Sequence, residues 1–215
     1  MTGKGLMSAT PGRREQNKLR TRRAIRQSAL ELFKRDGFDR VTTSQVAEAA
    51  GVSPATVFNY FATKEDLFFG QVAQLERELR ELVAAVPAGE SILTALRGHV
   101  LYELTAGRAQ TNPPDVVSFH AVVADSASLR AREAEIYERR AAVLADALAA
   151  AGQPSLLAQV AARQYVAAEQ LIAAELRRRL AGGGSPRQII GELDELVVQV
   201  FELLRTGLGD LAPAG

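Results

Sequence analysis

The chain has 215 residues, 47% of them hydrophobic and 24% charged, with a formal net charge of +1. This balance is ordinary for a globular protein and leaves room for one large domain or two small ones. The lack of cysteine excludes disulfides, thiol nucleophiles and cysteine-ligated metal clusters. No segment reaches the ~18 uninterrupted apolar residues of a membrane span, so we expect a cytoplasmic protein.

Charge is divided unevenly along the chain. Residues 1–64 contain 12 Lys and Arg against 5 Asp and Glu, whereas residues 65–215 contain 14 against 20. The first part therefore carries +7 and the second −6. A basic module at one end is typical of a protein that meets nucleic-acid phosphates with that end, and a merely solvated charged face is the alternative.

Residues 1–20 are predicted to form a flexible basic arm. Residues 1–12 are rich in Gly, Ser, Thr and Pro, which predicts disorder, and a basic run then continues to Arg22 and Arg23. Such a run is either a solubilising tail or an arm that reaches a minor groove or flanking phosphates. It leads into a first helix, which Gly37 ends. The apolar face of this helix consists of Ile25, Ala29, Leu32 and Phe33.

Residues 41–67 predict two short helices and the start of a third, in the arrangement of a helix-turn-helix. Thr43 is placed to cap the first helix, and Gly51 supplies the left-handed residue that ends it. Ser53 is the expected N-cap of the second helix and Pro54 its first residue. The expected inner residues are Val46, Ala47, Ala50, Val57 and Phe61. The free outer face of the second helix carries Ala55, Thr56, Phe58, Asn59 and Tyr60.

This segment resembles the DNA-binding domain of TetR-family bacterial transcription regulators, most closely in GVSPATVFNYFATKEDLF, residues 51–68. The resemblance implies that Tyr60 and Lys64 contact DNA phosphates. It also implies contacts to bases or nearby phosphates from Thr43, Ser44, Pro54, Ala55, Thr56 and Asn59. The amide of Asn59 can bond adenine in bidentate fashion. Lys64 opposes the dipole of the helix that it begins, and a bound anion would resolve that conflict.

A long helix is predicted from residue 64 to residue 86, where its rise of ~1.5 Å per residue gives about 33 Å. Such a helix can couple two domains. We expect a helix-turn-helix domain over residues 21–70 and an effector-binding and dimerisation domain over residues 71–215.

The rest of the chain alternates helix signals with Gly and Pro breaks and shows no strand pattern. Helices are predicted over residues 91–106, 114–124, 128–151, 155–180 and 186–208. The expected fold is therefore all-α, with about nine helices.

The last two predicted helices are apolar over more than one row, which favours a four-helix bundle formed by two copies of the chain. The TetR resemblance implies the same homodimer, and burial of both rows inside one chain is the alternative. On the first of these helices the expected dimer surface is Leu157, Ala161, Tyr165, Ala168, Ile172 and Leu176. On the second, the expected rows include Leu193, Leu196, Val197, Val200 and Phe201.

A small-molecule pocket of mixed character is predicted among the middle helices. Its candidate residues are His99, Tyr102, Phe119, His120, Tyr137 and Tyr165. Gly98 would let a group approach the backbone closely. The segment from residue 124 to residue 148 is similar to one in a TetR subgroup that senses acyl-CoA-like molecules, so such a compound or another apolar one is the expected effector.

Enzymatic motifs are missing from the sequence. The two histidines belong to no HExxH motif or serine triad, and neither GxxxxGK[ST] nor GxGxxG occurs. We therefore expect no catalysis, cofactor or metal site. The favoured function is a repressor that a small molecule releases from a palindromic operator. A co-repressed regulator, an activator, a helical enzyme and a scaffold are the alternatives.

Overall fold

A computed structural model describes residues 12–87, 89–105, 116–183 and 185–207. Every regular element in these ranges is an α-helix, which confirms the all-α prediction. The chain divides into two compact units, residues 1–70 and 71–215. None of the described helices is both long and apolar enough to cross a bilayer. The helices are α1 Arg13–Asp36, α2 Thr43–Ala49, α3 Pro54–Tyr60, α4 Lys64–Phe68, α5 Val72–Ala85, α6 Ile92–Thr105, α7 Val116–Asp125, α8 Ala127–Ala150, α9 Ser155–Ala181 and α10 Pro186–Thr206.

The first unit packs α1 against α2 and α4, and α2 against α3. Three aromatic rings form its centre: the Phe33 centroid lies 4.8 Å from that of Phe38 and 6.2 Å from that of Phe68. Val46, Val57, Phe61 and Leu67 are also buried. The expected inner residues therefore lie inside, except that Leu32 and Ala50 are only half-buried.

The start of α1 differs from the expected arm. Residues 1–11 lie outside the described residues, and residues 13–20 are helical. The carbonyl of Gly12 accepts hydrogen bonds from the N–H groups of Glu15 and Gln16 at 2.8 and 3.0 Å. Arg, Glu, Gln, Lys and Leu dominate this stretch, and all of them favour helix.

Local side-chain chemistry fixes the ends of α2 and α3. Thr42, not Thr43 as expected, is the N-cap of α2, because its extended backbone lets it form a capping box with Gln45. At the other end Gly51 has φ +65°, and the N–H of Val52 donates to the carbonyl of Ala47 at 2.9 Å. Ser53 caps α3 through the N–H of Thr56 at 3.1 Å, as expected.

The predicted helix from residue 64 to residue 86 is wrong as a single element. It is broken at residues 69–71 into α4 and α5. A Cβ at Gly70 would lie 2.9 Å from the carbonyl oxygen of Asp66 and 3.2 Å from the ring of Phe61, so the chain can turn there only with glycine. The break separates the two compact units, and it raises the number of described helices to ten.

The second unit packs α8 and α9 together, with α5, α6, α7 and α10 around them. Leu79, Leu144, Ala162, Leu176 and Leu193 are completely buried in its core. The bounds of α6 to α10 agree with the predicted helices within two residues. Gly152 and Gly183 have positive φ at the breaks that follow α8 and α9.

The expected dimer surface on α9 lies mostly inside the second unit. Tyr165, Ala168, Ile172 and Leu176 are buried in the same chain, and only Leu157 and Ala161 are exposed. Residues 158, 162, 165, 172 and 176 form the row that faces the core. The opposite side of α9 presents a second row at three- and four-residue spacing, apolar except for Gln164 between its second and third members: Leu157, Val160, Ala167, Leu171 and Ala174.

The rows expected on α10 are also divided. Leu193, Val197 and Phe201 are buried within the chain, whereas Leu196 and Val200 are half-buried against the core. Val198 and Leu203 are exposed. Leu208, the last residue of the helix predicted over residues 186–208, lies outside the described residues.

Candidate nucleic-acid interface

The α3 helix presents a polar and apolar surface without charge. Val57 is its buried residue and anchors it to the unit, whereas Pro54, Ala55, Phe58 and Asn59 are exposed. None of the seven residues PATVFNY carries a charged side chain. The exposed face of α3 therefore has no cation of its own for phosphate.

Two predicted contact residues lie at the start of α2. Thr43 is half-buried and Ser44 is exposed in its first turn. The hydroxyl of Thr56 on α3 lies 2.8 Å from that of Ser53, so it is engaged at the cap. Ser44 and Asn59 therefore have the more accessible polar groups.

Basic side chains of α1 line an open groove beside Tyr60. The groove has a volume of about 780 Å³. Its lining residues are Gly12, Arg14, Glu15, Asn17, Lys18, Thr21 and Tyr60. Arg14 and Lys18 outnumber Glu15, and both are exposed. The groove offers the positive charge that α3 lacks, which suits a phosphate backbone.

Arg22 and Arg23, predicted together as DNA contacts, have different surroundings. Arg22 donates from Nη1 to the carbonyl of Tyr60 at 2.7 Å and from Nη2 to that of Gly70 at 3.5 Å. Its guanidinium also lies 4.5 Å from the centroid of the Phe61 ring. Arg22 thus ties α1 to the ends of α3 and α4, whereas Arg23 is exposed.

Lys64 begins α4, where residues of the same chain offset the expected conflict between its positive charge and the helix dipole. Thr63 caps α4 in a capping box with Asp66, and Glu65 adds a second acidic residue to the first turn. The ammonium of Lys64 lies 4.2 Å from the centroid of the Phe38 ring. Burial lowers the pKa of Lys64, against the opposing effects of Asp39 and Glu65. No anion is needed to explain a lysine at this position.

The residues predicted for a ligand pocket lie in the second unit and differ in how far they are buried. His120 and Tyr165 are buried, His99, Phe119 and Tyr137 are half-buried, and Tyr102 is 46% exposed. The ring of Phe119 lies edge-on to that of its neighbour His120, with 5.4 Å between centroids. A Cβ built at Gly98 would meet nothing within 4 Å in the part of the chain that is described, so no described group approaches that glycine.

Two ion pairs between α8 and α9 contact two of these residues, His120 and Tyr165. Arg177 pairs with Glu133 at 3.0 Å and lies 3.3 Å from Nδ1 of His120. Arg140 pairs with Glu169 at 2.9 Å, and the hydroxyl of Tyr165 donates to the same carboxylate at 2.8 Å. Arg177 is thus engaged between the helices, whereas Arg178 and Arg179 lie in the last turn of α9.

Tyr137 lies in the field of both ion pairs. Desolvation raises the pKa of Tyr137, and the charges of Glu133 and Glu169 raise it further against Arg140 and Arg177. The second oxygen of Glu169 and Nε2 of His99 are buried without a hydrogen-bond partner among the described residues.

Comparison with known proteins identifies the first unit. Residues 25–70 match the family described as bacterial regulatory proteins, tetR family. The HTH-type transcriptional regulator TcmR of Streptomyces glaucescens is 36% identical over 88 residues, which cover 41% of this chain and 39% of TcmR. The nucleoid occlusion factor SlmA of Haemophilus influenzae is 30% identical over 105 residues, 48% of each chain. The chain thus spans about half or less of the length of these relatives.

Solved structures extend the likeness of fold over both units. NalD, the secondary repressor of the MexAB-OprM multidrug efflux pump in Pseudomonas aeruginosa, is 21% identical with a TM-score of 0.55, covering 85% of this chain and 97% of NalD. The fatty acid degradation regulator FadR from Bacillus halodurans is 18% identical with a TM-score of 0.55, covering 91% of this chain and 96% of FadR. The helix-turn-helix of this chain, residues 25–70, thus matches the tetR family of bacterial regulatory proteins, and the likeness beyond it is one of fold.

Proposed function

We propose that the chain is a DNA-binding transcription regulator that acts as a repressor, with α3 in the major groove of an operator. The exposed and uncharged face of α3, held from behind by Val57 and flanked by the basic groove of α1, is the observation that carries this proposal. TcmR and NalD are described as a transcriptional regulator and a repressor, which supports the same function here.

The proposed contacts fall into two classes. Asn59, Ala55 and Pro54 lie on the exposed face of α3 and contact base edges, with Thr56 and Ser44 beside them. Tyr60, Lys64, Thr43 and Arg23 contact phosphates, and Arg14 and Lys18 extend this second class along the groove. Arg22 serves the interface indirectly, since its hydrogen bonds hold the end of α3.

A second copy of the chain is the proposed partner of α9. The exposed row that includes Leu157, Val160 and Leu171 has the spacing of a helix that packs along another helix. Exposed Val198 and Leu203 give α10 an apolar contribution of its own. Two copies would then place two α3 helices on the two half-sites of a partly palindromic operator.

The proposed effector is a small molecule that binds in the second unit. The cluster formed by Glu133, Arg177, Arg140 and Glu169 supplies polar groups next to His120, Tyr137 and Tyr165. The second oxygen of Glu169 is an acceptor, so it favours a ligand that donates a hydrogen bond from an otherwise apolar body. The resemblance of residues 124–148 makes acyl-CoA-like compounds the first to assay, and native mass spectrometry of the purified protein would detect a ligand that is already bound.

Selection from random duplexes tests the DNA-binding proposal. The full chain is incubated with a library of random duplexes, and bound molecules are separated by gel shift, amplified and sequenced. We expect an inverted repeat to be enriched and the enrichment to change at one or two base pairs with Asn59→Ala, whereas Lys64→Ala weakens binding to all duplexes alike. Failure of any sequence to become enriched above the starting library would overturn the proposal.

A further inference from the structure

The side chains of α3 restrict which base pairs it can read. In the major groove, guanine is read mainly by the forked donors of Arg or by Lys, and the amino group of cytosine by Asp or Glu. The helix contains none of these four residue types. Its one side chain with both a donor and an acceptor on an amide is Asn59, which suits adenine.

Phe58 is the largest group on the exposed face of α3. It is 54% exposed, although a phenylalanine side chain gains from leaving water. Pro54 and Ala55 precede it by four and three residues, so these three side chains form one apolar patch on the same side of the helix. Asn59 lies four residues after Ala55 and borders this patch.

Thymine presents the one apolar group among the base edges of the major groove, its C5-methyl. We propose that Phe58 is a specificity-determining residue that contacts a thymine methyl group, while Asn59 reads an adenine next to it, so that the base pairs under α3 are A·T. This inference rests on the proposed DNA-binding function.

Replacing thymine by deoxyuridine tests the contact, because it removes the methyl group and leaves O4 and the base pair in place. The probe is the inverted repeat enriched by the full chain, made with each symmetric pair of thymines replaced in turn. At one pair we expect affinity to fall about fourfold per half-site, as one apolar methyl group is returned to water. Fluorescence anisotropy with labelled duplexes measures the change.

The variants Phe58→Ala and Leu19→Ala separate a base contact from a structural effect. Leu19 is also an exposed apolar residue, but it lies on α1. We expect Phe58→Ala to bind the thymine and uracil duplexes equally, because the ring that contacts the methyl group is gone. Leu19→Ala should retain the full uracil effect. Phe58→Leu, which keeps an apolar side chain, should retain part of it.

Three outcomes would overturn the inference: G·C pairs selected throughout the positions under α3, no uracil effect at any thymine, or an undiminished uracil effect in Phe58→Ala. In each of these the enriched repeat still exists, so the proposed DNA-binding function stands. If no duplex is enriched, that function and the inference fail together.

Discussion

The basic residues of α1 are of two kinds: some hold the fold of the first unit together, and others lie on its surface. Arg22 is held by two carbonyls and a ring, and burial lowers the pKa of its neighbour Arg26, with the charge of Arg22 as a smaller cause. Arg14, Lys18 and Arg23 point to solvent. A basic run in the sequence therefore contains residues of two kinds, and only the contacts between helices distinguish them.

Arg22→Ala should destabilise the first unit by about 2 kcal/mol, since it removes hydrogen bonds from a charged donor and a contact with the Phe61 ring. Native-state hydrogen exchange of residues 25–33 should report this as faster exchange. Arg23→Ala is the matched control and should change stability by less than about 0.5 kcal/mol. Equal protection from exchange in both variants would mean that the contacts of Arg22 do not stabilise the first unit.

Ionisation of Tyr137 should make the free energy of unfolding depend on pH in the alkaline range. In the unfolded chain a tyrosine titrates near ~10, and burial raises the pKa of Tyr137 above that value. The contribution of neutral Tyr137 to the free energy of unfolding is therefore complete below pH ~10. It is lost as the pH rises toward the pKa of Tyr137 in the folded chain, with a slope of up to about 1.4 kcal/mol per pH unit. Urea unfolding from pH 8.5 to 11 should show a steeper decline for wild type than for Tyr137→Phe. Parallel curves of unfolding free energy against pH for the two proteins would contradict the raised pKa of Tyr137.

The ion pairs around Tyr137 show what residue patterns leave undetermined. Glu133 and Arg177 are 44 residues apart, and Arg140 and Glu169 are 29 apart. The sequence of either helix alone does not indicate that these charged residues form pairs. Only the packing of α8 on α9 brings opposite charges together, so the pocket residues could be suggested from the sequence but the charged cluster could not.

Individual helices follow the sequence closely wherever their ends depend on neighbouring residues. Ser53, Pro54 and Gly51 act within a few residues of themselves, and the end of α2 and the start of α3 were accordingly predicted, whereas the cap of α2 was placed one residue late. The break at Gly70 was missed because it depends on the Phe61 ring and the Arg26 side chain, which are distant in sequence. The inward face of α9 was likewise misassigned, because both of its sides are apolar.

Gly51 and Gly98 should respond to alanine with opposite signs. A Cβ at either position meets nothing within 4 Å among the described residues, so only backbone conformation differs. Gly51→Ala forces alanine into φ +65° and should destabilise the helix-turn-helix by about 1 kcal/mol. Gly98→Ala lies within α6 and should stabilise that helix by ~0.5–1 kcal/mol. Hydrogen exchange resolves the two regions, and the same sign at both sites would refute the backbone argument.

Adjacent residues on α9 should separate assembly from folding. Leu171 is 70% exposed and Ile172 is 3% exposed. Leu171→Glu should weaken self-association at least about tenfold while leaving the helical circular dichroism intact, whereas Ile172→Glu should unfold the second unit. Ala142→Glu on the exposed side of α8 is the control. Sedimentation equilibrium measures association, and a wild-type monomer at all concentrations would contradict the proposed partner surface.

Across the whole molecule, the residues proposed to contact DNA and those proposed to contact an effector belong to different compact units, joined by the short non-helical segment at residues 69–71. The single helix expected from residue 64 to residue 86, which could have coupled two domains, is divided by this break. Control by an effector would instead require that ligand binding change the preferred arrangement of two copies, and its differential affinity sets the limit of that change. Reciprocity requires that the effector lower operator affinity by the factor by which operator lowers effector affinity.

Two helix-turn-helix units acting on one duplex impose a fixed spacing on its half-sites. Inserting five base pairs between the halves of the enriched repeat turns one half-site by about half a helical turn. In a fluorescence anisotropy titration of the full chain we expect the Kd to rise at least ~100-fold, toward non-specific binding, while the same insertion outside the repeat leaves it unchanged. A Kd that is the same for both insertions would contradict binding by a pair of α3 helices.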